Sequence, residues 1–259
     1  MQERHSNRQI YFEELAHTSK KYFLPYIQKY LSIGEDTKIL EIGCGDGGNL
    51  LPFAEMGCDV TGVDIAESRI SQAKIYFEER NTPAKLIASD IFKLKDLQQQ
   101  FDLILIHDVI EHINNKETFL QDIKRYLKNG GMIFMGFPAW QMPFGGHQQI
   151  CRSKLASHWP FLHLLPNPVY RYILKSLKEN DACIRELMDI KSCKTTIEMF
   201  EKLMRKCKYE IVDRTLYFIN PHYETKFNLK PRRLYSFIGA TPYIRNFFCT
   251  STFYMIKPD

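Results

Sequence analysis

Several things are scarce in this chain, and each scarcity removes an explanation. No apolar run approaches the roughly 20 residues that span a bilayer. The seven cysteines, scattered from Cys44 to Cys249, contain no C-x-x-C pair. An odd, dispersed set reads as reduced thiols in a cytoplasm, not as a disulfide framework or a zinc site. The polar stretch Met1 to Gln9 has no apolar h-region, so export is not expected. No internal repeat, low-complexity tract or Pro/Gly/Ser-rich linker divides the chain, and its 259 residues read as one domain able to bury a full core. What is present, 44% hydrophobic and 25% charged residues, is ordinary for a globular protein.

The net charge of +5 is unevenly spread. Residues 1–139 hold 16 Lys/Arg against 20 Asp/Glu, a net of −4, and residues 140–259 hold 19 against 10, a net of +9. A basic half suits an acidic or membrane-associated substrate, and equally suits plain solvated surface. It lacks the dense Arg/Lys–aromatic interleaving of a nucleic-acid surface, so nucleic acid is not an expected partner.

Hydrophobic periodicity supplies the architecture. Residues 10–31 read as a helical segment interrupted at Pro25. Strands then alternate with helices: strands at Lys38–Ile42, Asp59–Asp64, Lys85–Ala88, Phe101–His107 and Met132–Phe137, with helical faces at Asn49–Met56, at Ala66/Ile70/Ala73/Phe77 and at Phe119/Leu120/Ile123/Leu127. Asn129-Gly130-Gly131 is the expected end of the last of these helices. After Pro138 the alternation breaks. Residues 139–193 and 220–247 read as helical or irregular lid insertions, between which lie a helix at Thr195–Cys207 and a strand at Glu210–Phe218; Cys249–Ile256 is the last strand. The order predicts an α/β fold with a doubly wound, mostly parallel sheet, and a ligand at the carboxyl ends of its strands.

The chemistry concentrates in Ile39–Gly48, I-L-E-I-G-C-G-D-G-G, an apolar strand that runs into a glycine turn where backbone N–H groups can approach a ligand closely. Gly43, Gly45 and Gly48 satisfy the dinucleotide pattern G-x-G-x-x-G. Glu41 with Gly43, Gly45 and Gly47 satisfies E-x-G-x-G-x-G just as well. Asp64 ends the second strand 17 residues after Gly47, where a carboxylate can accept both hydrogen bonds of a ribose diol, or simply cap the next helix. Asp90 ends the third strand and can accept an adenine amine beside Ile91, or again cap a helix. The fourth strand ends H-D-V-I-E-H-I, from His107 to Ile113.

Taken in order across the core, residues 36–138, these segments resemble the class I S-adenosylmethionine (SAM)-dependent methyltransferases, nearest to small-molecule O-methyltransferases of the ubiquinone-pathway type. The resemblance implies a seven-stranded sheet in the methyltransferase order with an antiparallel last strand. It implies SAM as cofactor and S-adenosylhomocysteine (SAH) as product. Glu41, Gly43, Cys44, Gly45 and Gly47 would shape the methionine pocket, Asp64 and Ile65 the ribose site, Asp90 and Ile91 the adenine site, and His107 would lie near the sulfonium. No Tyr-x-x-x-Lys follows the fifth strand, as a nicotinamide reductase would be expected to show, and no Asn/Asp-Pro-Pro-Tyr/Phe marks amide or amine methylation.

For the acceptor side the expectation is a small molecule, acidic or apolar and aromatic in character, methylated on a hydroxyl oxygen. His147, in F-G-G-H, is the candidate base, with His112 and Asp108 as alternatives. Asp108, Glu111 and His112 would share one face of a helical turn and resemble an E-x-x-E-H metal site, but E-H-I also occurs in metal-free relatives and no resident metal is expected. His158 and His163 are weaker candidates, and Trp140, Phe144, Trp159, Tyr170 and Tyr172 would line the acceptor pocket or form the core of the lid. Val169–Lys178 reads as a lid helix facing the sheet in preference to a membrane-surface helix. An RNA methyltransferase, a nicotinamide-dependent oxidoreductase and a non-catalytic SAM-binding protein remain the rival readings.

Overall fold

A computed structural model describes residues 8–259, so Met1 to Asn7 of the polar N-terminal stretch lie outside the described residues. Eight strands form one mixed sheet: β1 Lys38–Ile42, β2 Asp59–Asp64, β3 Lys85–Ala88, β4 Phe101–His107, β5 Leu127–Phe137, β6 Tyr209–Ile219, β7 Arg232–Arg233 and β8 Ser251–Pro258. Their spatial order is β3-β2-β1-β4-β5-β8-β6-β7. β3 to β5 pair in parallel, and β8 runs antiparallel between β5 and β6. The expected seven-stranded order is present, and the eighth strand is the two-residue edge piece β7, antiparallel to β6.

β4 shows why the sheet must be covered twice. Leu103 and Leu105 enter one core cluster with Phe12, Phe53 and Phe77, while Ile104 and Ile106 enter another with Phe119, Phe200 and Tyr254. Period-two alternation sends neighbours to opposite faces, so an unbroken apolar run requires helices on both sides. Arg8–Thr18 and Glu67–Glu79 supply the first cover, and Lys116–Asp122 and Ile197–Lys206 the second.

Three local expectations are corrected. Pro25 does not end the N-terminal helix. The chain widens into a π turn at Ser19–Phe23, and Pro25 then opens the short helix Leu24–Ile27, where its missing N–H is tolerated. Asn129-Gly130-Gly131 is not a helix end, because β5 already begins at Leu127. Phe101 pairs with Leu127 and Leu103 with Met132, so the residues between bulge out, helped by the positive φ of Gly130. The stretch 220–247 is less irregular than expected: it contains the short helices Tyr223–Phe227, Ser236–Gly239 and Arg245–Phe248, together with β7.

Residues 139–193 form a cap whose helices Asn167–Ser176 and Asp181–Ser192 bury Tyr170, Leu174, Ile184 and Leu187 in a small core of their own. Tyr170 and Leu174 face that core, not the sheet as expected from the sequence, and Tyr172 is exposed. Among the described residues no helix is long and apolar enough to cross a membrane.

Candidate cofactor and acceptor site

The loops after β1, β2, β3, β4 and β5 converge at the carboxyl edge of the sheet. After β1 the chain turns on Gly43, Gly45 and Gly47, all with positive φ (74°, 54° and 84°), a region that side chains other than glycine enter at a cost. Space is equally restrictive. A Cβ on Gly43 would run into Val109, and one on Gly47 would lie 2.9 Å from Phe77 Cε2. Gly48 carries the backbone of the N-terminal helix directly against it, at Phe12 O. Arg8 Nη2 reaches Asp46 Oδ1 at 2.6 Å and pins that helix over the turn.

Glu41 is buried behind the turn. Asn49 Nδ2 donates to its Oε1 at 2.8 Å, while its Oε2 and Asn49 Oδ1 are buried without a partner. Burial pushes the Glu41 carboxyl up to about 8; the Asn49 hydrogen bond opposes this and the Asp64 charge adds to it. Two orphaned buried acceptors beside a cradle that any Cβ would fill are the mark of a site built for a ligand carrying donors or positive charge. The residues expected for SAM therefore fit that cofactor.

Asp64 accepts from Gly45 N through Oδ2 and from Ala66 N through Oδ1, each at 2.8 Å. It is first a brace for the glycine turn, and each oxygen keeps a lone pair for a ribose diol. Ile65 beside it is exposed. Asp90 Oδ1 caps the turn Ile91–Lys93 through Phe92 N at 3.0 Å, and its other oxygen is left for a ligand. Ile91 packs into the core with Leu97 and Tyr126. The Cys44 thiol is buried and pushed well up by that burial, so Cys44 is a packing residue and not a reactive thiol.

On the acceptor side, His107 closes β4 with its ring 4.7 Å from that of Phe23, its Nδ1 3.4 Å from Asp108 Oδ2, and its buried Nε2 unpartnered. Gly136 leaves room for that ring on the neighbouring strand. Asp108 has φ +54°, so it lies outside the turn Ile110–His112 and does not share a helical face with Glu111 and His112 as expected from sequence. Instead Glu111, His112 and His147 come together, their donor atoms all within 4.8 Å of one another, a set able to hold a cation. Glu111 is buried with both oxygens unpartnered, and burial holds its carboxyl well above the usual range, with the Asp108 charge adding.

The His112 and His147 rings meet edge to face at 5.0 Å. Burial pushes His147 down to about 4, with His112 adding and Asp108 opposing, and His112 is lowered for the same chief reason, so both are neutral at pH 7. Tyr11 and Tyr223 lie within the influence of the Asp108 charge. Burial pushes each hydroxyl up to about 12 and Asp108 adds to both, so they remain donors. Neither tyrosine was identified from the sequence. They come from segments more than two hundred residues apart, and no local motif marks them.

The aromatic lining is dispersed. Tyr170 belongs to the cap core and Trp140 packs on His163, whereas Trp159 and Tyr172 are exposed. His163 is fully buried with Nε2 2.7 Å from Trp140 O, and His158 is bonded to its own helix; both are structural.

Comparison with known proteins follows the same lines. Residues 40–135 match the family model described as a methyltransferase domain. The ubiquinone biosynthesis O-methyltransferase of Bartonella quintana (strain Toulouse) is 30% identical over 145 residues, covering 53% of this chain and 59% of that protein. The chain spans about half the length of the curated relatives it matches. The S-adenosylmethionine-dependent methyltransferase from Clostridium acetobutylicum ATCC 824 superposes with a TM-score of 0.58 at 12% identity, covering 93% of this chain and 91% of that one. The plantazolicin methyltransferase BpumL, in complex with a triazolic desmethylPZN analog and SAH, gives 0.57 at 18%, covering 98% and 88%. These two likenesses show the fold.

Proposed function

We propose that this chain, whose residues 40–135 match a methyltransferase-domain model, is a class I methyltransferase that transfers a methyl group from SAM to a hydroxyl oxygen of a small molecule. The observation that carries the reading is the junction of two half-sites at one sheet edge. The Glu41–Gly47 cradle with Asp64 lies on one side, and Asp108, His112, His147, Tyr11 and Tyr223 on the other.

SAM, when bound, supplies an electrophilic methyl on a sulfonium that is already a good leaving group. The protein's task is alignment and proton management. Glu41 and the three glycines hold the amino-acid portion, Asp64 the ribose diol and Asp90 the adenine edge, which fixes the direction of transfer. Positioning of this kind is worth about 7–11 kcal/mol in favourable cases. Phe23, its ring 4.7 Å from that of His107 and tilted 38° to it, keeps water from the cofactor side. Tyr11 and Tyr223 hold the acceptor oxygen as donors. His147, neutral at pH 7, takes its proton while the Asp108 carboxylate stabilises the imidazolium that forms. So weak a base suits an acidic hydroxyl, such as a phenol, better than an alkyl alcohol. That the relatives are O-methyltransferases supports oxygen as the acceptor atom.

Calorimetry with SAM and with NADH, followed by SAH release from a panel of phenols, tests the reading. SAM should bind and NADH should not. Asp64→Ala should weaken SAM binding at least tenfold, and His147→Ala should lower kcat while leaving SAM affinity unchanged. Absence of SAM binding would sink the assignment, and binding without turnover of any acceptor would leave a cofactor-binding protein.

A further inference from the structure

After β6 the chain folds back over the sheet edge as a strap. β7 pairs with the end of β6, and Leu234 N donates to Leu216 O at 2.8 Å. Leu234 and Ile238 face inward onto Leu216, Ile197 and Cys249. Arg245 is clamped by Glu198 and Glu201, and Asn246 Oδ1 accepts from Ile197 N, so the strap is held rigidly. A surface strap ordinarily turns its polar side outward. This one does the opposite: Tyr235, Phe237, Tyr243, Ile244, Phe247 and Phe248 are all 41–71% exposed. Phe161 of the cap, itself exposed, extends the patch at 6.3 Å from the Phe247 ring. Tyr235 and Phe237 stack at 5.9 Å, and exposed apolar side chains gathered on one short segment in this way mark an interaction site.

The charges around it select the occupant. From residue 225 to residue 258 the sequence contains no Asp or Glu, while Lys230, Arg232 and Arg233 are exposed along the strap. Among the described residues no salt bridge neutralises these three. Exposed amphipathic tyrosines, apolar phenylalanines and neighbouring cations are the side chains that suit a head-group and acyl boundary carrying lipid phosphates. We infer that the outer face of residues 230–248 docks on an anionic lipid bilayer. It lies on that surface without crossing it. The inference rests on exposure and charge alone and stands independently of the transfer chemistry.

Vesicle co-sedimentation of the full chain tests it, using phosphatidylcholine vesicles with and without a third of phosphatidylglycerol. Binding should appear with the anionic lipid and weaken as salt rises. Each basic residue near such a surface is worth about fivefold in partitioning, so Lys230→Gln with Arg232→Gln should reduce it roughly 25-fold. Phe237→Ser with Tyr243→Ser should lower it at least tenfold, while SAM affinity and the circular dichroism spectrum stay unchanged. No association with anionic vesicles overturns the proposal, as does association that neither pair of substitutions alters. A wild-type dimer that the Phe237/Tyr243 variant converts to monomer overturns it in favour of a second copy on this face.

Discussion

Replacing Glu41 with glutamine should stabilise the protein at neutral pH, although Glu41 is the residue most deeply set into the cofactor cradle. Its carboxyl is buried, accepts one hydrogen bond from Asn49 and leaves Oε2 unpartnered. Burial raises it from 4.5 to about 8. A carboxyl raised in the folded state gives its full stabilising effect below the unfolded value and loses it as pH rises through the folded value. At pH 7 the folded protein keeps this proton and the unfolded chain has lost it. The interval from pH 4.5 to pH 7, at about 1.4 kcal/mol per pH unit, makes the proton that Glu41 takes up on folding cost about 3 kcal/mol of folding free energy. Glutamine has nearly the same shape, keeps the acceptor for Asn49 and does not titrate. Urea unfolding of both proteins at pH 4.5, 6, 7 and 8 should show equal stability at the acid end. The variant should then gain progressively, reaching about 3 kcal/mol at pH 7. The same variant should bind SAM more weakly, and calorimetry in buffers of different ionisation enthalpy should show wild type, but not the variant, releasing a proton on binding. A Glu41→Gln protein less stable than wild type at pH 7, or two parallel pH profiles, would refute the reasoning.

Two other perturbations probe the turn and the cap. Gly43→Ala places a Cβ at φ +74° and against Val109, which should cost about 2–3 kcal/mol in unfolding experiments. Adding Val109→Ala should recover part of that loss, and no recovery would mean that the close approach is not the cause. His163 is buried and pushed down to about 4 from 6.5, chiefly by that burial, so the folded state refuses a proton that the unfolded chain accepts. Stability should therefore fall as pH drops from about 6.5 to about 4, by up to about 3 kcal/mol from this group. His163→Gln should shrink that acid limb, measured by thermal melts, and an unchanged limb would contradict the burial argument.

The strands of the parallel sheet were legible because strands buried on both faces are nearly pure apolar runs; β1 to β4 begin and end where the sequence places them. The glycine turn was legible because only glycine combines positive φ with so little room, at Gly43 and Gly47 above all. Ambiguity entered where one residue type serves two purposes. Asn129-Gly130-Gly131 could end a helix or bulge a strand, and pairing with β4 decided for the bulge. D-x-x-E-H reads as one helical face, but the left-handed backbone at Asp108 separates it from Glu111 and His112. Asp90 makes the cap that was weighed against ligand binding, whereas Asp64 accepts from Gly45 N and Ala66 N without capping the helix Glu67–Glu79, and in both a carboxylate has more acceptor positions than these bonds consume.

The order of short-range signals along residues 38–138 determined the sheet, the cradle and the nucleotide-type ligand, since each depends on neighbours within a few positions. The acceptor side needed the fold. His112 and His147 meet because the loops after β4 and β5 converge, and Tyr11 of the N-terminal helix and Tyr223 of the strap come under the influence of Asp108 in the first of these loops; periodicity carries no record of such long-range neighbours. The exposure of Phe237 and Tyr243 likewise became visible only in three dimensions, where the inner face of the strap was already filled by Leu234 and Ile238.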